Sequence, residues 1–188
     1  MVIADKLRTT NRAEYLLYMW QVEDVIRAYG GDPDRIAAEY VSRFTLDTET
    51  RRRTVQWYAD LCGMMRSEGV MEKGHMQICR NALQELTELH NALLGSVKFP
   101  YYREMYYKVL PYIVELRAKR GAAADTAADT ADKPELETCL DLLYGVMMLR
   151  LQKKPVSPGT EKAVKDVSVL LGQLSDYYFK DKAEPIDF

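Results

Sequence analysis

The sequence predicts an all-α protein, an antiparallel bundle of about seven helices that can also be read as stacked helical hairpins. Three observations carry that prediction. Apolar residues recur at helical spacing over most of the chain, Gly, Pro and capping residues fall where those runs begin and end, and no segment alternates with period two between hairpin turns.

The first long helix runs from about Asn11, an N-cap with Glu14 three residues on, to Gly30-Gly31, which cannot continue it. Asp32-Pro33 restarts a helix in the favoured order, capping oxygen first and proline next, and Ile36, Tyr40, Val41 and Phe44 give it one apolar stripe. A third helix begins near Asp47 and turns Tyr58, Leu61, Cys62 and Met65 inward before Gly69 stops it. The fourth, from about His75 to Leu94, sets Cys79, Leu83, Leu86, His90 and Leu93 on one face. Pro100 opens the fifth, and Pro111 within it removes a backbone donor and predicts a kink or break.

Residues 121–133 repeat Ala-Asp-Thr with nothing apolar larger than alanine, so they can bury almost no surface and are read as a mobile loop. Pro134 starts the most apolar helix; between Cys139 and Leu151 only Asp141, Gly145 and Arg150 are not hydrophobic, which predicts a central position. Ser157-Pro158 starts the last helix, striped by Val164, Val167, Leu171, Leu174 and Tyr178, and residues 183–188 are expected to fray. Sliding the third-to-fourth hairpin by 85 residues lays Gly74 on Gly159, Leu86 on Leu171 and Leu89 on Leu174, which keeps the stacked-hairpin reading open.

A length of 188 residues fits one domain, 1–188, with 47% hydrophobic and 29% charged residues. Net charge is −2 and the pI about 5.8, so no global field attracts nucleic acid or an anionic membrane. The longest apolar run, Tyr15 to Trp20, is far short of a membrane span, and charge at Asp5 leaves no room for a secretory leader. Cys62, Cys79 and Cys139 are odd in number and widely spaced, which suits reduced thiols and a cytoplasmic location.

The chemistry-bearing residues are few. His75 and Cys79 stand at metal-ligand spacing on one helix but lack two further ligands, so neither a metal site nor a cofactor is expected. There is no nucleophile elbow and no Gly-rich phosphate loop. His90 sits among leucines, as a core histidine bonded to a carbonyl or carboxylate, or else as a base. Arg150 shares a face with Leu143 and Met147, so its guanidinium is expected to be buried and paired with Glu23 or Asp24, as a structural ion pair or as one wall of a polar pocket that could include Arg117. Tyr101, Tyr102, Tyr106, Tyr107 and Tyr112 cluster beside the proline and suit either core-edge packing or an aromatic ligand or partner groove, with Tyr101, Tyr102 and Tyr106 the candidates for a contact surface. The run Arg51-Arg52-Arg53 reads as a solvated face.

The strings Glu14-Tyr-Leu-Leu-Tyr-Met-Trp-Gln-Val-Glu-Asp24, Tyr106-Tyr-Lys-Val-Leu-Pro-Tyr-Ile-Val-Glu-Leu-Arg117 and Leu143-Tyr-Gly-Val-Met-Met-Leu-Arg-Leu-Gln-Lys-Lys154 resemble a small bacterial family of about this length, a domain of unknown function (DUF4924). The resemblance implies a cytoplasmic bacterial protein with a helical fold, and brings no reaction, ligand or assigned residue. The leading expectation is a non-enzymatic helical interaction or scaffold module, with a protein partner or a second copy and neither nucleic acid nor membrane. The alternative is an enzyme or small-ligand binder with a pocket between helices that uses Glu23, Asp24, His90, Arg117 and Arg150.

Overall fold

Capping chemistry sets where the helices start. In the computed structural model, which describes residues 2–123 and 133–188, Asp32 Oδ1 accepts from the amides of Asp34 (2.9 Å) and Arg35 (3.2 Å), Asp47 Oδ1 accepts from Thr50 (2.9 Å), and Ser157 Oγ accepts from Thr160 (3.1 Å). Eight helices follow among the described residues: α1 Val2–Thr10, α2 Arg12–Ala28, α3 Pro33–Arg35, α4 Thr48–Ser67, α5 Gln77–Gly95, α6 Pro100–Ala123, α7 Glu135–Leu151 and α8 Pro158–Ala183. No strand occurs among them, so the fold is an all-α helical bundle. Gly30 and Gly31 end α2 with φ of 65° and 70°, a left-handed backbone that strains any side chain, and a Cβ on Gly31 would also require the Met71 methyl to move aside.

Several expectations change. The short helix α1 was not foreseen. After α3 the chain rewinds into a π turn, Ile36–Tyr40, then a 3-10 turn, Val41–Arg43. Those changes of pitch rotate the stripe, so Ile36 and Val41 are buried while Phe44 is exposed. Helix α6 continues through Pro111 without the break that was one of the two expected outcomes; the ring sits on an exposed position, where the Tyr107 carbonyl that loses its donor can be met by water. Helix α7 is not central: Leu136, Cys139, Leu140 and Val146 are buried, but Leu142, Leu143, Met147 and Met148 are only half-buried and Leu151 is 66% exposed. The tract read as a loop begins as the end of α6 at Gly121–Ala123, and its residues 124–132 lie outside the described residues.

The chain forms two compact units. The first, Met1–Thr9 with Glu14–Ala82, has Leu16, Met19, Ile26, Ile36, Tyr58, Leu61, Cys62 and Met65 among its buried side chains. The second, Thr10–Ala13 with Leu83–Phe188, is built on α6, α7 and α8 packed mutually, with Tyr102, Ile113, Leu140, Val167, Leu170 and Leu174 buried. Its terminal residues, expected to fray, fold back instead: the Ile186 amide donates to Asp181 Oδ1 (2.9 Å), Lys98 Nζ pairs with Asp187 Oδ2 (2.6 Å), and the Phe188 ring lies 5.8 Å from that of Phe99.

Candidate functional site

In the first unit, Glu23 is fully buried on α2, and both of its carboxylate oxygens have partners. One oxygen accepts from the Met76 amide at 2.7 Å, and the other lies 2.6 Å from His75 Nδ1. The imidazole stacks on Trp20, with centroids 4.3 Å apart and planes 13° from parallel. Met76 and His75 immediately precede α5, so the carboxylate also supplies the anion that a helix start favours. Asp24, one residue on, points to the surface and pairs with Arg27 at 3.0 Å. Arg27 in turn donates to the carbonyls of Val70 (3.2 Å) and Gly74, tying the loop between α4 and α5 to α2. This cluster orients a histidine and closes a loop.

In the second unit, His90 is buried on α5, and its Nδ1 lies 2.6 Å from the Tyr102 hydroxyl on α6, not against the carbonyl or carboxylate expected. Its Nε2 is buried without a partner among the described residues. Burial holds the imidazole neutral, with its pKa pushed down to about 4, and Glu135 offsets only part of that. Tyr102, named as a contact-surface candidate, is therefore a core residue, buried with its hydroxyl committed to His90. Tyr106 is half-buried and donates to Glu135 at 2.8 Å, whereas Tyr101 is exposed. Cys139 is buried, and desolvation pushes its thiol up to about 12, which leaves it a poor nucleophile at neutral pH.

Arg150 overturns its expectation. The side chain is 54% exposed, and its partner is Glu161 on α8, neither Glu23 nor Asp24. Its helical phase does point inward, but it lies in the last turn of α7, where the guanidinium reaches water over the helix end. Arg117 is half-buried and donates to the Lys133 carbonyl. The five polar candidates thus serve separate local bonds. Three surface clefts, of about 320, 360 and 220 Å³, are lined by none of them. The first contains Arg53, Trp57 and Asp60, the second Val97 and Phe188, the third Tyr101, Lys108 and Asp166. No group of three or more His, Cys, Asp or Glu side chains among the described residues is placed to hold a metal ion.

The feature that sequence reading missed is on the outer face of α6. Tyr107, Pro111, Val114 and Ala118 are all exposed and follow one another at spacings of four, three and four residues, the seam of a helix pair. Tyr107 is 61% and Val114 59% exposed, large apolar side chains turned away from the core. The spacing is present in the sequence, but Tyr102, Met105, Val109 and Ile113 fill the opposite, buried face. A helix apolar on both sides shows no single stripe, so the outer seam hides behind the inner one.

A family model described as Domain of unknown function (DUF4924) matches residues 1–185. No curated protein and no solved structure matches the chain.

Proposed function

We propose, for a chain that belongs to the DUF4924 family over nearly its whole length, the role of a non-enzymatic helical interaction module whose contact surface is the outer face of α6. The observation that carries the reading is the seam Tyr107, Pro111, Val114 and Ala118, solvent-facing along about 16 Å of helix. A helix in water gains nothing from leaving such residues exposed, whereas a partner helix laid along them removes their surface from water. Protein, not nucleic acid, is the partner class: Arg51 donates to the carbonyls of Val41 (3.3 Å) and Phe44 (3.0 Å), and Arg52 pairs with Glu49 (2.9 Å), so the arginine run is largely spent internally. No helix of the described residues is long and apolar enough to cross a membrane. A cytoplasmic setting fits three free thiols, all buried. The alternative of a small-ligand pocket gains no support from clefts that contain none of Glu23, Asp24, His90, Arg117 and Arg150.

The test is the native mass of the chain in extract of the cells that make it. The wild type is expected well above the 21.7 kDa of one chain, and Val114→Asp, a change at an exposed site, is expected to bring it down to that value. A wild-type chain that runs as a monomer in extract sinks the reading.

A further inference from the structure

We infer that the occupant of the α6 seam is a second copy of this chain, paired antiparallel about a two-fold axis, an inference that rests on reading the seam as a contact surface. The argument comes from charges along one edge of that seam. Glu104, Lys108, Glu115 and Lys119 project on the same flank, in the order acid, base, acid, base, and all four are exposed. In an antiparallel helix pair each flank meets its own symmetry mate, running in the opposite direction. Inverting this order sets a base opposite every acid.

The apolar seam and the charged flank agree on one register. Laying Pro111 of one copy against Val114 of the other also lays Tyr107 against Ala118, a large residue over a small one. The same register brings Lys108 to Glu115 of the second copy, and Glu104 to its Lys119. Lys108 Nζ already lies 2.6 Å from Asp166 Oδ1, and Lys119 Nζ lies 2.6 Å from Glu115 Oε1. An ammonium has three donors and a carboxylate two oxygens, so each existing pair has capacity for a second partner. A parallel pairing would instead set Arg103 against Lys108 of the second copy, like charge against like.

Sedimentation of the purified full-length chain tests the inference. The wild type is expected to be a dimer at roughly tens of micromolar. Val114→Asp is expected to yield a monomer with an unchanged helical circular dichroism spectrum. Glu115→Lys, which turns both symmetry-related contacts with Lys108 repulsive, is expected to weaken dimerisation by about tenfold or more. Orientation is read separately by disulfide trapping, since Cys62, Cys79 and Cys139 are all buried. Tyr107→Cys and Ala118→Cys chains should cross-link when mixed and not when kept apart. Self-linking of Ala118→Cys overturns the antiparallel arrangement, and a dimer untouched by Val114→Asp overturns the seam as its interface. A purified wild type that sediments as a monomer overturns the second copy as occupant, while the contact-surface reading survives if the mass in extract still falls with Val114→Asp.

Discussion

His90 shows what a single buried ring does to stability. Its ordinary pKa is 6.5, and burial lowers it to about 4 in the folded chain. Between those values the unfolded chain takes up a proton that the folded chain refuses, so the contribution of the neutral ring is fully present above pH 6.5 and is lost as the pH falls towards 4. The loss amounts to about 3 kcal/mol. Urea unfolding at pH 7 and pH 4 should show His90→Phe with a smaller stability gap than the wild type by about that amount; equal gaps would refute the assignment. His90 was legible as a core residue because leucines surround it in helical register. Its bond to Tyr102 was not, since the residue types allow a carbonyl, a carboxylate or a hydroxyl equally well. Glu23 teaches the same lesson at longer range. A buried acid on an apolar helix signals a polar partner, but nothing local points to His75, 52 residues on. Arg150 failed for another reason: helical phase gives direction, and a side chain in the last turn escapes it.

At the level of the element, helix starts were readable because each depends on one side chain reaching an amide two or three residues on. Asp32, Asp47 and Ser157 all do so. Departures came in the π and 3-10 turns after α3, where Ile36 and Val41 are buried, and in the continuous course of α6, where Pro111 takes an exposed position. Pro111 has the helical neighbours of any α6 residue yet donates no bond to the Tyr107 carbonyl. Pro111→Ala restores the missing donor within a continuous helix, and is expected to stabilise the fold by about 2 kcal/mol. Chemical denaturation would show a higher midpoint with an unchanged slope. A lower midpoint would mean that α6 is built around the proline. The low legibility of the outer seam has the same origin as that of α7: apolar residues on all sides erase the contrast by which a face is recognised.

At the level of the whole chain, the second unit is discontinuous in sequence. Thr10–Ala13 belongs with Leu83–Phe188, and specific bonds hold it there. Arg12 pairs with Glu85 at 2.8 Å, and Glu85 also accepts from the Tyr178 hydroxyl at 2.8 Å. Ser175 Oγ, buried on α8, accepts from the Ala13 amide at 3.1 Å and donates to Asn11 Oδ1 at 3.1 Å, serving the first turn of α2 from the far end of the chain. Ser175→Ala removes both bonds and is expected to cost about 2 kcal/mol. Hydrogen exchange should then quicken at the Ala13 amide; unchanged protection there would show that the bond is dispensable. A separation of 162 residues between Ala13 and Ser175 also sets an order of events as the polypeptide leaves the ribosome. Residues 10–13 are made well before Ser175, and the Ala13 amide has only water to meet it until that part of α8 has been made. Until then α2 begins without the hydroxyl that later serves its first turn, so during synthesis the start of this helix is open to whatever folding helpers it meets.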